Sequence, residues 1–194
     1  MIRKISVLLI VLVAMVSCDS ARQGIGSAYN MVNCKYTYKS ITGLSVGGAN
    51  FSNGFNAASI LSLTNLLTGG NKSSIPVNFT VNMNVNNPNA TEAALSGLQY
   101  VISVDNVELT TGMVNNALSI ASGETQMLPL SIGFDLATFM QGENKDTMLN
   151  AIKNIAGIGS QQSNISVKIK PTFMVGNYPV TSPIYIPVNF TIGK

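Results

Sequence analysis

The stretch that decides the fold is IPVNFTVNMNVNNPN, residues 75–89. From Val77 to Asn86 apolar and polar side chains alternate without a break, and the apolar set is Val77, Phe79, Val81, Met83 and Val85. A period of two over a run of this length is typical of an antiparallel strand with one face on a core and the other in water. The stretch therefore predicts a sheet that is buried on one face.

The first six letters of that stretch, IPVNFT, return unchanged at residues 186–191. The residues around the two copies differ, which argues against a duplicated domain. The second copy places Ile186, Val188, Phe190 and Ile192 on one face. We expect two strands that each bury one face. Phe79 and Phe190 should point towards the core, and Asn78 and Asn189 towards water.

Further strands follow the same pattern. The segments 98–104 and 107–112 form a predicted hairpin, because Asp105 and Asn106 between them tolerate the positive φ of a tight turn. Three more strands are predicted at NCKYTYKSITGLSV (33–46), ETQMLPLSIGF (124–134) and SNISVKIKPTFMVG (163–176). Short strands separated by Gly and Asn turns indicate an all-β fold, a two-sheet antiparallel sandwich.

Prolines and helices refine this expectation. Pro129, Pro171 and Pro187 lie inside predicted strands, so edge positions or bulges are expected there, because proline removes a ladder donor. One short helix is predicted at residues 145–159, with Asp146 as its N-cap and Gly157 as its stop. Its apolar stripe is Met148, Leu149, Ile152 and Ile155. A second helix is possible at residues 56–70, and DLATFM (135–140) could add one turn.

The N-terminus has the form of an export signal. MIRK is a charged start, ISVLLIVLVAMV is an apolar run too short for a spanning helix, and Ser17 and Cys18 follow. The ending AMVSC resembles the lipobox of bacterial lipoproteins, which implies acylation of Cys18; the plainer alternative is an ordinary cleaved signal with a cysteine nearby. We predict a lipoprotein signal peptide over 1–17, a flexible tether over 18–30 and one domain over 31–194. The predicted location is the bacterial cell envelope, lipid-anchored, at the outer membrane facing the periplasm.

Composition argues against several functions. Removal of Arg3 and Lys4 with the signal leaves 9 basic residues against 8 acidic ones, so nucleic acid binding is not indicated. The chain has no histidine, which excludes a Ser/His/Asp triad and histidine-based zinc sites. Cys34, unpaired if Cys18 carries lipid, is expected to be a buried apolar residue. We expect no enzyme activity, no catalytic residue, no metal and no cofactor; the acids Asp105, Glu108, Glu124 and Asp135 are dispersed in the sequence.

One resemblance is specific. The alternating strand runs into Asn87, Pro88 and Asn89, the next strand carries Tyr100, and Gly112 follows on the return strand before a polar turn and another apolar strand. These features resemble the late embryogenesis abundant type 2 family, also described as the water stress and hypersensitive response domain, over about residues 32–192. The resemblance implies a fibronectin III- or immunoglobulin-like sandwich of about seven strands with one helix. The insertion at 140–162 departs from plant members and is similar to bacterial lipoprotein members.

The Asn-Pro-Asn sequence also has a physical reading of its own. Pro88 cannot donate to a ladder and keeps Asn87 out of the helical region, while asparagine side chains bond nearby backbone groups in turns. We therefore predict a structural strand end rather than a ligand site.

Three functions remain open. The chain is expected to be a non-catalytic, lipid-anchored envelope module that binds a protein or glycan partner, serves a structural role or responds to stress. The alternatives are a glycan-binding lipoprotein, disfavoured by the absence of tryptophan, and a fimbria-like surface subunit in which cleavage after Arg22 frees a groove for a donor strand.

Overall fold

The computed structural model describes residues 25–51, 61, 65, 73–140 and 142–193. Within these ranges the chain is mostly strand, and its hydrophobic core is one cluster shared by two antiparallel sheets. The strands are β1 (Lys35–Val46), β2 (Ala49–Asn50), β3 (Pro76–Asn86), β4 (Ala93–Leu95), β5 (Gly97–Val104), β6 (Val107–Val114), β7 (Leu118–Ile120), β8 (Thr125–Asp135), β9 (Ser163–Val175), β10 (Tyr178–Thr181) and β11 (Ile186–Ile192). The predicted all-β antiparallel fold is confirmed.

The first sheet has the strand order β2-β1-β3-β8, and the second has the order β10-β9-β5-β6 with β11 also paired to β9. β4 and β7 form a two-stranded ladder of their own. At one side of the sandwich β1 faces β11, where the rings of Tyr38 and Phe190 stack with centroids 4.1 Å apart. At the other side β8 of the first sheet faces β6 of the second. Both sheets therefore bring an edge strand to the same open side.

The apolar side chains that alternate along β3 are buried. Its five predicted core side chains, Val77 to Val85, are all buried. On the opposite face Asn78 is exposed, whereas Asn82 is buried and its Nδ2 donates to Ser40 Oγ at 3.2 Å and Thr42 Oγ1 at 3.0 Å. β3 is a central strand, so side chains from the neighbouring strand cover the middle of its outer face.

The second copy of the hexapeptide IPVNFT is also a strand with the predicted faces. Val188 and Ile192 are buried and Asn189 is exposed, as expected. Phe190 is only half-buried, because β11 is an outer strand and the ring is covered on one side by Tyr38. The repeated hexapeptide thus occupies a central strand in one sheet and an outer strand in the other.

The predicted hairpin is β5–β6, and its turn residues Asp105 and Asn106 have φ of 46° and 69°. The pairing shifts where Ile102 lies opposite Thr110 and Ser103 lies opposite Glu108, which leaves Leu109 as the extra residue of a bulge. A bulge strengthens the local twist of the strand pair. It lies close to the turn and leaves the rest of β6, towards Val114, in regular register.

The prolines follow the expectation in two of three cases. Pro129 lies in β8 and Pro187 in β11, and each of these strands pairs on one side only within the described chain. Pro171 is different, because β9 is central: β5 pairs along one side, and β11 and β10 share the other. Pro171 falls between the end of the β11 pairing at Ile169 and the start of the β10 pairing at Thr172, where no ladder donor is needed.

Two helices accompany the sheets: α1, residues 25–32, and α2, Lys145–Ile155. In α2 the prediction of Asp146 as N-cap is wrong, since Asn144 holds that position without a side-chain cap bond and Asp146 lies in the first turn. Gly157 follows the helix at φ 74°, as predicted for a stop. The buried face is Met148, Ala151, Ile152 and Asn154, while Leu149 and Ile155 are half-buried at its margins.

Three other expectations have different outcomes. The turn predicted in DLATFM is a short 3-10 helix, Leu136–Thr138. In the possible helix at 56–70, residues 61 and 65 are helical and exposed, and the rest of that segment lies outside the described residues. The predicted tether over 18–30 reaches too far, because residues 25–30 are helical and Asn30 is buried. The signal segment 1–17 and Cys18 lie outside the described residues.

Candidate binding groove

The cysteines have separate outcomes. Cys18 is not among the residues that the structure describes, so its acylation stays a prediction. Cys34 is buried directly before β1, and its desolvation raises the pKa of the thiol to about 11. A thiol with a raised pKa is a poor nucleophile at neutral pH. Cys34 therefore contributes packing, as the sequence predicted.

The dispersed acids do not converge on one site. Asp105 Oδ1 accepts from the backbone N–H of Asn164 at 2.8 Å and ties the β5–β6 turn to the start of β9. Asp135 Oδ1 accepts from the backbone N–H groups of Ile75 at 2.8 Å and Ala137 at 2.9 Å. Bonds from Ser74, Ile75 and Ala137 lower the pKa of Asp135. Among the described residues no cluster of His, Cys, Asp and Glu has the make-up of a metal site.

Asn87 is the centre of a polar network at one end of the sandwich. Its side chain is fully buried, and Nδ2 donates to the carbonyl oxygens of Thr91 and Ile120, each at 2.9 Å, and of Ala121 at 3.2 Å. Its Oδ1 accepts from Asn89 N at 3.0 Å and Asn89 Nδ2 at 2.8 Å. Both functional atoms of the amide are satisfied by protein groups, so this side chain has no capacity left for a ligand.

The same network holds α1. Asn89 Nδ2 donates to the carbonyl oxygen of Asn30 at 2.9 Å, and Asn30 Nδ2 donates to Thr91 Oγ1 at 2.7 Å and to Glu92 O at 2.9 Å. The loop after β3, the turn before β8 and the N-terminal helix are thereby joined. The Asn-Pro-Asn sequence is a structural element, in agreement with the prediction made from proline and asparagine chemistry.

The candidate binding site is the groove between β6 and β8, which we call the β6–β8 groove. It has a volume of about 570 Å³. The residues along it are Met113, Val114, Asn115, Asn116, Ala117, Leu118, Met127, Leu128, Pro129 and Ser131. Met113 and Met127 are 62% and 50% exposed, which is high for such apolar side chains. The lining is thus a mixture of thioethers, amides and backbone without an ionisable side chain.

At Ser131, one of the residues along the groove, a contact joins the two sheets. Tyr100 of β5 donates its hydroxyl to the carbonyl oxygen of Ser131 in β8 at 2.5 Å. The ring passes over Gly112, its direct partner on β6, so closely that a Cβ there would overlap the phenol. Gly112 has to be a glycine because of this close approach. Tyr100 and Gly112, two positions that carry the family resemblance, are therefore one interacting pair.

The two strands that flank the groove have free edges in the described chain, since β6 pairs only with β5 and β8 only with β3. β8 is interrupted by Pro129, and the outer strands β10 and β11 of the second sheet contain Pro179 and Pro187. β6, with the sequence VELTTGMV, contains neither proline nor lysine. Proline, lysine and β-bulges are common means of blocking edge-to-edge pairing, so the part of β6 beyond its bulge, from Thr110 to Val114, is the least protected of these edges.

Sequence patterns predicted both strands but not the groove, because its two walls are residues far apart in the chain. Met113 and Met127 carry no local signal that distinguishes them from core methionines. The one usable hint was Tyr100 with Gly112, since a strand tyrosine opposite a glycine is consistent with a ring laid across the neighbouring strand.

No family model and no curated protein matches the chain. Thirteen solved chains have a detectable structural likeness. A protein from Archaeoglobus fulgidus is 15% identical, with TM-score 0.38, over 80% of this chain and 95% of that one. A protein from Arabidopsis thaliana is 13% identical, with TM-score 0.39, over 64% and 76%. A putative late embryogenesis abundant protein is 12% identical, with TM-score 0.40, over 93% and 86%.

None of the helices in the described ranges combines the length and the apolar character needed to cross a bilayer.

Proposed function

We propose that the chain is a non-catalytic, lipid-anchored module of a bacterial cell envelope that binds a partner in the β6–β8 groove. The observation that carries the binding role is the composition of the groove: it is open, contains two exposed methionines and has no acid, base or thiol along its walls. General acid–base chemistry needs a titratable group within hydrogen-bond reach of the substrate. Flexible thioethers are typical of surfaces that adapt to a bound chain.

The preferred partner is an extended peptide. The free edge of β6 offers backbone donors and acceptors to an added strand, and the exposed Met113 offers an apolar contact for alternate side chains of that strand. This mode includes the fimbria-like alternative, in which the added strand comes from another subunit.

A glycan partner is the competing proposal, and one observation supports it. The outer face of the first sheet is polar and largely uncharged: Asn78, Thr80 and Asn84 of β3 lie beside Ser45, Thr42 and Thr37 of β1. Amides and hydroxyls suit the neutral hydroxyl groups of sugars. This face meets the β6–β8 groove at Met127, which lies opposite Asn84 and has its Sδ 3.9 Å from Lys39 Nζ. The two proposals are therefore distinguished at Asn78, farther along β3.

A photo-crosslinking residue placed at Met113 in the full-length protein tests the groove in native envelopes. The matched control carries the same residue at Asn106, in the turn at the opposite end of β6. We expect a defined crosslinked protein from Met113 and none from Asn106. Crosslinks of equal yield at both sites, or at Asn78 but not at Met113, would contradict the groove as the binding site.

The anchor is tested separately. Cys18→Ala should abolish metabolic labelling with a fatty acid and release the protein from the membrane fraction, because the acyl chains are the proposed attachment. The control is Cys34→Ala, which removes the other cysteine and should leave labelling unchanged. Persistent labelling of Cys18→Ala would rule out the lipoprotein proposal.

We also assign the chain to the late embryogenesis abundant type 2 family as a proposal. The support is that the resembling residues form two structural devices, the Asn87 network and the Tyr100–Gly112 pair. The Asn87 network joins the sandwich to α1, and the Tyr100 hydroxyl bonds one sheet to the other at Ser131.

A further inference from the structure

The end of the sandwich at which the chain enters the domain exposes a group of apolar side chains. β3 ends there, β8 begins opposite it, and β5 begins opposite Thr172 of β9. The β9–β10 hairpin extends beyond the start of β5, and α1 is bonded to the loop that follows β3. The exposed side chains are Ile25, Tyr29, Met174, Tyr178 and Val180; we call this group the anchor-side end.

The exposure of these residues is unusually high. Tyr29 and Tyr178 are 70% and 77% exposed, and Ile25 is 57% exposed. Ile25 and Tyr29 are four residues apart in α1 and therefore share one helix face. Tyrosine is enriched where a protein meets the membrane–water interface, because its ring is apolar and its hydroxyl is polar.

Chain length limits how far this end can lie from the bilayer. Ile25 is seven positions after Cys18, and a segment of that length extends at most ~25 Å. Detachment of α1 from the domain would lengthen this segment. It is energetically unfavourable, because Met31 is fully buried and Asn30 donates to Thr91 and Glu92. An acylated Cys18 therefore keeps the anchor-side end close to the membrane, whereas the β5–β6 turn points away from it.

We infer that the anchor-side end rests on the lipid surface, with Tyr29, Tyr178 and their apolar neighbours in the interfacial layer. The occupant of this face is the bilayer to which the chain is attached, and the inference rests on the proposed acylation of Cys18. Among the residues that the structure describes, the exposed charges at this end are Lys35, Glu92 and Glu124, one basic and two acidic residues. Contact is therefore apolar rather than electrostatic, and it should be insensitive to salt and to anionic lipid.

This orientation leaves both free edges at the side of the sandwich and the turn Asp105–Asn106 at the far end from the membrane. The β6–β8 groove then stands beside the bilayer, with its Asn115–Asn116 end nearest the lipid, and stays open to the periplasm.

The test uses the full-length acylated protein in vesicles of phosphatidylethanolamine and phosphatidylcholine. Tyr178→Cys and Asn106→Cys variants carry an environment-sensitive fluorophore. Cys34 is 7% exposed and its thiol has a pKa raised to about 11, so labelling at neutral pH is directed to the introduced cysteine. We expect a blue-shifted emission and strong quenching by nitroxide-bearing lipids at position 178, and water-like emission at position 106.

The outcomes distinguish failure of the inferred orientation from failure of the proposed acylation of Cys18. Mass spectrometry of the N-terminal peptide reports acylation independently of the fluorophores; an unacylated peptide would overturn the anchor and the orientation together. An acylated protein with water-like emission at both positions would overturn the orientation alone. Equal quenching at both positions would also overturn it, because the sandwich would then lie on its side. A second probe at Ile25→Cys should match position 178.

Discussion

Asparagine side chains have different roles at different positions in this chain, and each role depends on the groups that surround the side chain. Asn78 and Asn189 are exposed on strands, Asn82 is buried and bonds two hydroxyls, and Asn87 is fully buried within a ring of carbonyl oxygens. A buried amide is tolerated only where its donors and acceptor are satisfied. Asn87 meets this condition, because its Nδ2 and its Oδ1 are both bonded to protein groups. The bond from Asn89 N to Asn87 Oδ1 holds the chain in the turn that ends β3.

The network around Asn87 predicts a specific order of stabilities. Asn87→Ala should lower the free energy of unfolding by about 3 kcal/mol, because buried carbonyl groups lose their donor. Asn87→Asp should be worse at neutral pH, since a carboxylate would face the oxygens of Thr91, Ile120 and Ala121. Denaturant melts would measure both, with Asn78→Ala as the exposed control. An Asp variant as stable as the wild type would contradict the assigned bonds.

The Tyr100–Gly112 pair gives a second prediction for single residues. Gly112→Ala should destabilise the protein by about 1–3 kcal/mol, because the added methyl overlaps the phenol of Tyr100 and displaces it from Ser131. Tyr100→Phe should cost only about 1 kcal/mol, the net value of one hydrogen bond. In the double variant Gly112→Ala with Tyr100→Ala the two losses should not add, since the overlap is gone. Additive losses in thermal or denaturant unfolding would refute the contact.

The burial of a strand's side chains depends on the strand's position in the sheet as much as on its sequence. β3 and β11 share the hexapeptide IPVNFT, yet β3 is central and β11 is an outer strand. The same side chains therefore lose different amounts of solvent contact. A similar contrast applies to the prolines, since Pro129 and Pro187 lie in strands with a free side, whereas Pro171 lies where β9 changes its outer partner.

The two copies of the hexapeptide can be compared directly. Phe79→Ala should cost ~3–5 kcal/mol, because Phe79 is 4% exposed and packs edge-on against Phe134. Phe190→Ala should cost about half as much, since that ring is half-buried and covered by Tyr38. Asn78→Ala and Asn189→Ala should stay within ~0.5 kcal/mol. Small and equal losses in all four would contradict the assigned faces.

In the whole molecule, few groups can respond to pH near neutrality, because the chain contains no histidine. Stability should change with pH mainly in acid, where carboxylates that accept hydrogen bonds are protonated. Asp135 is such a group, placed at the end of β8 where it joins residue Ile75 before β3 to the 3-10 helix.

The sign of the effect follows from the lowered pKa. The pKa of Asp135 is lower in the folded protein than its ordinary value of 3.8, so its stabilising contribution is full above that value and is lost as the pH falls through the folded pKa. Asp135→Asn should therefore be less stable at pH 7 and should lose less stability below pH 4. Denaturant midpoints across this pH range would measure the difference. Parallel curves for the two proteins would contradict the lowered pKa.

The sequence by itself determined seven of the eleven strands in the described residues, the β5–β6 turn, the glycine after α2 and the burial of Cys34. Each of these rests on local chemistry: a period of two, residues that accept positive φ, or an apolar side chain without a partner. The Asp146 prediction failed for an equally local reason, since the N-cap is Asn144, two residues earlier, and Asp146 is already in the first turn of the helix.

Only the tertiary structure decided which faces meet and what they leave open. It placed Met113 beside Met127, docked α1 through Asn30 and laid the Tyr100 ring on Gly112, although these residues are separated in the chain. It also buried Asn82 and left Phe190 half-exposed, against the simplest reading of the alternation. Alternation along a strand fixes which side chains share a face, but the neighbours of that face come from distant segments and are chosen by packing of the whole sandwich.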